Sequence, residues 1–385
     1  MKRNFCRNCS SPELNLIFDF GLQPLAGHFP DKPHHIEPCV KYALDLTQCG
    51  SCGLLMTTNL PPINEIFHPN YNYSSSTIPS LVNHFLLYSK FIKNLLPAGA
   101  QILEFGCNDG VLLDFLVASG FNCVGVDASE NMANIAASKG HTVIDGFFNQ
   151  ALVLENGLVD SQDLITCSNV LAHVDDLAEV LNAVHLALKP AGLFCIEVHD
   201  AQVLVEQNQF DAIYHEHLTY FSSGTLDNAL NRYGFSEISK EYTNMHGGGL
   251  RGVYKKETCS KIDQSLPVSH ISGSSFNNVV KRCQNDIHKI YKDNGMIDGY
   301  GAAGRAQIFL NVTSTSEYFS CIFDDSRFRQ NKFIAGTNLR IQEFHAPYSK
   351  VCIILAWNYS ERIFKNISQF YDKIFTILPE LTRLK

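Results

Sequence analysis

The chain has 385 residues, 18% of them charged and 45% hydrophobic, with a formal net charge of −8. That length exceeds one hydrophobic core, so two or three packed units are expected, and the composition is that of an ordinary globular protein rather than a disordered one. Lysines and arginines scattered over an acidic chain argue against a nucleic-acid partner. No stretch reaches the roughly 18 apolar residues of a membrane helix, so a cytoplasmic protein without a membrane partner is expected.

Residues 1–70 are rich in Pro, Cys and His and read as a loop-rich module that needs a staple. Cys6 with Cys9 and Cys49 with Cys52 form two CxxC pairs. Zinc is held by four tetrahedral ligands, and each CxxC turn offers two thiolates, with Gly50 and Gly53 permitting tight knuckles. The segment between the pairs has to loop out, and His28, His34 or His35 can replace a thiol. Unliganded buried cysteines are the plain alternative. A closed site of this kind is structural, folding a module that lacks a large core. Thirteen cysteines with no export signal fit reduced thiols and metal ligands better than a disulfide framework.

Residues 71–255 follow a different pattern. IPSLVNHFLLYSKFIKNLL carries Leu81, Val82, Phe85, Ile92 and Leu96 near helical spacing. QILEF, NCVGVDA, HTVID, DLITCSNV and LFCIEVH then alternate with helical runs, which predicts a parallel, doubly wound Rossmann-like sheet. In residues 256–385 a long polar helix over 268–293 precedes MIDGYGAAGRAQIFLN, SCIFDDS and KVCIILAW, a second and smaller parallel α/β unit. Cys123, Cys167, Cys195, Cys321 and Cys352 lie in apolar strand-like runs and are expected to be buried.

ILEFGCNDG is a strand that ends in a glycine turn before a helix, the place where open α/β sheets bind ligands. Asn108 stands where a dinucleotide turn has its second glycine, between Gly106 and Gly110, so a pyrophosphate is poorly served and S-adenosylmethionine is favoured. Asp127 closes the next strand, where an acid can accept both ribose hydroxyls; the alternative is a helix cap. Asp145, Gly146 and Phe147 follow the third strand, placed to flank adenine, with a core role the alternative for Phe147. Asn169 and His173 follow the fourth.

These residues, together with CxxC…CGxCG, YxYxSS (Tyr71, Tyr73, Ser75, Ser76), YHEH at 214–217, HGGGLR at 246–251 and GYGAAGR, resemble the sugar C-methyltransferases of deoxysugar biosynthesis. The resemblance implies a central class I S-adenosylmethionine-dependent methyltransferase domain, a structural zinc module before it and a second Rossmann-like domain after it. It further implies a nucleotide-diphosphate-linked 4-keto sugar as substrate, methylated at C3. His217 becomes the base, since imidazole titrates near the operating pH, with Tyr214 and Glu216 binding the sugar or orienting the imidazole. His173 contacts the 4-keto oxygen or a hydroxyl, and His215 keeps a structural reading. Tyr73 joins the catalytic set. Tyr71, Ser75, Glu104, Cys107 and Ala128 join the cofactor set with the turn and acid residues already named. His246, Gly248, Arg251, Tyr300, Gly301 and Arg305 are expected at the substrate, Arg251 because its planar fork suits a diphosphate. Arg305 stands where such proteins usually carry lysine. A monomer is expected.

Gly299, Gly301 and Gly304 spell GxGxxG, with Asp324 and Asp325 about a strand further on, so an NAD-dependent nucleotide-sugar dehydrogenase is the rival reading. A zinc-bearing binding protein without activity is the third.

Overall fold

The computed structural model describes residues 2–62, 65, 74–257 and 274–385. Leu14–Pro24 (β1) pairs antiparallel with Lys41–Cys49 (β2), burying Phe18, Phe20, Leu44 and Leu46. Leu55–Met56 (β3) continues this sheet after the second CxxC turn.

Pro79–Lys93 (α1) starts on a proline, tolerated there because the first helical N–H has no partner to lose. It buries Leu81, Phe85 and Ile92, as their spacing predicts. The alternation then unfolds as Gln101–Phe105 (β4), Val111–Ala118 (α2), Asn122–Asp127 (β5), Glu130–Ser138 (α3), Thr142–Asp145 (β6), Gln150–Glu155 (α4), Gln162–Ser168 (β7), Leu177–Ala187 (α5) and Leu188–His199 (β8). Ala201–Glu206 (α6), Thr219–Tyr220 (β9), Ser223–Arg232 (α7), Phe235–Thr243 (β10) and Gly249–Lys256 (β11) complete the middle of the chain. The central sheet runs β10-β11-β8-β7-β4-β5-β6, with every neighbouring pair from β8 to β6 parallel and β11 antiparallel to both its neighbours.

One strand falls outside this sheet. β9 pairs antiparallel with β3, Leu55 opposite Tyr220, so the N-terminal sheet is β1-β2-β3-β9 and is finished by the middle of the chain. Two residues of the middle of the chain thus belong to the N-terminal sheet.

Ser274–Asn294 (α8) leads into Ile297–Tyr300 (β12), Gly304–Thr313 (α9), Phe319–Phe323 (β13), Ile341–Gln342 (β14), Val351–Ile354 (β15), Ser360–Ile367 (α10), Lys373–Thr376 (β16) and Thr382–Arg383 (β17). The sheet order is β14-β13-β12-β15-β16-β17, parallel except at β17. One apolar core joins all three parts, with Phe18 and Leu44 from the first, Phe210 and Ile213 from the second and Phe276 and Ile308 from the third. Cys167, Cys195, Cys321 and Cys352 are buried, but Cys123 is only half-buried. Among the described residues, no helix is long and apolar enough to cross a membrane.

Candidate active site and zinc module

The four sulfurs of Cys6, Cys9, Cys49 and Cys52 lie within 4.8 Å of one another. Cys6 Sγ is 3.5 Å from Cys52 Sγ and Cys9 Sγ is 3.5 Å from Cys49 Sγ, so each contact joins the two turns. Four soft donors at one point fit a tetrahedral zinc with no open position. Both knuckles close alike, Ser10 N–H donating to Cys6 O and Gly53 N–H to Cys49 O, with the closing residue at φ 59° and 76° respectively. The left-handed turn thus falls on Ser10 and Gly53; Gly50 is not needed for it. Among the described residues no histidine joins the four sulfurs; His34 faces Cys39 and His35 faces Asn338.

The cofactor turn leaves β4 at Gly106, whose φ of 70° suits glycine and where a Cβ would come within 2.2 Å of Val170. The first amides of the turn face the neighbouring strand. Gly106 and Cys107 donate to Val126 O, and the Cys107 thiol is buried. Asn108 N–H donates to Asp127 Oδ2 at 2.7 Å, while Ser129 N–H donates to Asp127 Oδ1 at 2.8 Å. One carboxylate thereby ties the turns after β4 and β5 together, and burial raises its pKa. Asp127 caps locally and stands at the ligand-binding edge at once; the two readings are compatible. Beneath the turn, Glu104 Oε2 is buried without a hydrogen-bond partner, and burial with Asp127 nearby pushes this carboxyl well above its ordinary range. An orphaned acid under a glycine turn fits a ligand with hydroxyl or ammonium donors.

Ser75 supports the turn, its N–H donating to Asn108 Oδ1, and Ser74 and Ser76 donate to Asp109. Tyr71 and Tyr73 lie outside the described residues. Asp145 and Ala128 are exposed at the same edge, and Gly146 N–H donates to Asp127 O. Phe147 is 58% exposed, while its neighbour Phe148 takes the core place, stacked on Phe105.

The YHEH block reaches this edge from the far side. Tyr214 Oη is 2.9 Å from His217 Nε2, and the His173 ring meets the His217 ring edge-on at 4.9 Å between centroids. Asn169, His199, His217, Thr219 and Tyr220 line a small cavity at the carboxyl ends of β7 and β8. Burial pushes His173 down to about 4 and Glu216 up to about 8, so at neutral pH the first is uncharged and the second holds its proton. His215 is fully buried with Nε2 3.3 Å from Tyr42 O, a structural residue.

The two expected substrate cations both have partners within the protein. Arg251 is buried, donating to Glu197 and Glu241 and lying 4.0 Å over the Tyr88 ring. Arg305 forms a bidentate pair with Asp211 at 2.9 and 2.8 Å and lies over Trp357. Each guanidinium thus has a carboxylate partner that no local sequence pattern indicates. Tyr300 donates to Asp325, and a Cβ on Gly301 would meet Ala356 at 2.4 Å. A Cβ on Gly304 would meet Ala26 of the N-terminal part at 3.2 Å. The glycines of the GxGxxG turn therefore permit close packing against Ala356 and Ala26. Gly248, at φ 132°, is packed on Val203; the His246 side chain lies outside the described set. Residues not singled out from sequence, Gln209, Asp211 and Trp357, join this face: Gln209 contacts His199, Gly247 O and Arg305. Trp357, the one tryptophan in the chain, was the available signal.

A sheet of this order, with an acid-tied glycine turn opposite a cluster of imidazoles, defines a class I methyltransferase core. Comparison with known families matches a "Methyltransferase domain" over residues 82–240, a "Putative zinc binding domain" over 6–67 and a "C-methyltransferase C-terminal domain" over 250–378. The chain belongs to the S-adenosylmethionine-dependent C-methyltransferases built from these three parts. It is similar to the C-methyltransferase NovU of Streptomyces niveus, 26% identical, over 95% of this chain and 93% of that one. It is also similar to a ubiquinone biosynthesis O-methyltransferase of Pseudomonas aeruginosa (strain UCBPP-PA14), 32% identical over 25% of this chain and 42% of that one. A solved S-adenosylmethionine-dependent methyltransferase from Mesorhizobium loti covers 43% of this chain and 96% of its own at 20% identity, with a TM-score of 0.35.

Proposed function

We propose that the enzyme methylates C3 of a nucleotide-diphosphate-linked 4-keto sugar, with His217 as the base. The observation that carries this reading is the Tyr214–His217 contact at 2.9 Å with the uncharged His173 beside it. The YHEH resemblance and the C-methyltransferase C-terminal match support the substrate class. Bound S-adenosylmethionine supplies an electrophilic methyl group on a sulfonium. Asp127, Glu104 and Asn169 would hold it against the carboxyl edge of the central sheet.

A carbon next to a ketone is acidic enough for a positioned imidazole. The C3–H bond breaks, its proton passes to His217 and its electron pair enters the enolate. Tyr214 fixes the imidazole plane, and a neutral His173 N–H serves the developing negative charge on the 4-keto oxygen. Glu216, protonated near neutrality, can donate to a sugar hydroxyl.

His217→Asn should leave S-adenosylmethionine binding intact and lower the chemical rate by roughly a hundredfold or more. The decisive measurement is proton exchange in deuterium oxide with S-adenosylhomocysteine and a thymidine-diphosphate-linked 4-keto-2,6-dideoxyglucose. Wild type should wash deuterium into C3. A variant that exchanges as fast as wild type would remove His217 from this role.

A further inference from the structure

The residue inside the first zinc knuckle points away from the metal, into the floor of the active site. Arg7, between Cys6 and Cys9, has a side chain with no exposed surface. Its Nε donates to Asp175 Oδ1 at 3.0 Å, and its Nη1 donates to Thr57 O at 2.5 Å and to Leu218 O at 3.2 Å. Asp175 lies two residues after His173, and Leu218 follows His217 directly. One guanidinium therefore grips both segments that carry the paired imidazoles. The segments also touch each other, Leu218 N–H donating to Ala172 O at 2.7 Å and Thr219 Oγ1 to Leu171 O at 3.3 Å.

The knuckle fixes where that guanidinium stands. Asn8 N–H donates to Cys6 Sγ, Cys6 N–H to Ser11 O, and the Asn8 side chain to Asn228 on α7. We infer that Arg7 is a positioning residue: carried by the zinc knuckle, it sets the spacing and tilt of His173 and His217. The inference rests on the reading that these two imidazoles take part in the reaction. A buried planar fork with several donors can hold a carboxylate and two carbonyls at once, which neither lysine nor an apolar side chain of similar volume does.

The test uses full-length, zinc-loaded protein carrying Arg7→Met, Arg7→Lys or Asp175→Asn, the last outside the knuckle and partly exposed. Zinc content and S-adenosylmethionine titration by calorimetry should match wild type. Carbon-13-labelled histidine spectra should show the His173 and His217 ring signals displaced, with altered pH titration, most in Arg7→Met and less in Asp175→Asn. With the thymidine-diphosphate 4-keto-2,6-dideoxyglucose probe, kcat should fall by roughly ten- to a hundredfold, the scale of a small misplacement, with KM little changed. Arg7→Lys should recover only part of the rate. Full zinc, wild-type histidine titrations and wild-type kcat in Arg7→Met and Asp175→Asn together would overturn the inference. If Arg7→Met loses zinc or fails to fold, Asp175→Asn decides alone. A dead His217→Asn beside unaffected Arg7 and Asp175 variants sinks the positioning role but spares the proposed chemistry; an active His217→Asn sinks the chemistry itself.

Discussion

The central and C-terminal sheets build the same backbone device twice and use it differently. In the central unit Asp127 accepts from Asn108 N–H at 2.7 Å and Ser129 N–H at 2.8 Å; in the C-terminal unit Asp324 accepts from Ala302 N–H at 2.6 Å and Ser326 N–H at 2.8 Å. In each, an acid ending the second strand locks the glycine turn that follows the first. The surroundings separate them. Ser74–Ser76 brace the central turn from one side, whereas Ala356 and Ala26 pack against glycines of the C-terminal turn and Arg329 pairs with Asp324. A fingerprint of glycines and an acid therefore specifies a turn. Whether that turn receives a ligand depends on what packs against it.

If the C-terminal turn is architectural, its arginine is where it should break. Arg305→Met leaves Asp211 buried without its charge partner and should destabilise the protein by about 3–5 kcal/mol in chemical denaturation. Adding Asp211→Asn should recover much of that loss. An Arg305→Met enzyme of unchanged stability but raised KM for nucleotide sugar would return Arg305 to the substrate.

The paired acids sharpen the contrast. Asp127→Ala should weaken S-adenosylmethionine binding by about 1.5–3 kcal/mol, read by calorimetry. Asp324→Ala should leave that affinity alone and lower stability by about 1–3 kcal/mol. Equal effects on cofactor affinity would mean that the two turns are not functionally distinct.

The smallest effect concerns pH and belongs to the mouth of the central unit. Burial raises Glu216 from 4.5 to about 8. Between those values the folded protein holds a proton that the unfolded chain releases, so this group favours folding most below 4.5 and progressively less as pH rises towards 8. If neutral Glu216 also donates to substrate, kcat/KM should decline above about pH 8. Glu216→Gln should flatten both dependences, and a pH–rate profile unchanged by the substitution would remove the carboxyl from the site.

Local signals made most of the fold legible. QILEF became β4 residue for residue, and the paired CxxC spacing anticipated four converging sulfurs, because strand period and knuckle geometry are written in neighbouring residues. The carboxylate partners of the two arginines were not legible, because one partner of each is far along the chain. Glu197 lies 54 residues before Arg251, and Asp211 lies 94 before Arg305, so only the folded sheet order and the interface with the third part bring them together. β9 escaped notice because two residues carry no periodicity. Phe147 and Phe148 show how fine the margin is: adjacent aromatics on one loop divide between the ligand edge and the core.

β9 has a consequence for how the protein is made. The N-terminal sheet lacks its last strand until Thr219 and Tyr220 have been synthesised, and the carbonyl of Leu218 that Arg7 grips arrives at the same moment. During translation the zinc knuckles can close early, since their four cysteines lie within the first 52 residues, but the edge of β3 stays unpaired while more than a hundred further residues emerge. The four cysteines can thus meet before the segments carrying the imidazoles gain their hold on Arg7, which needs Leu218.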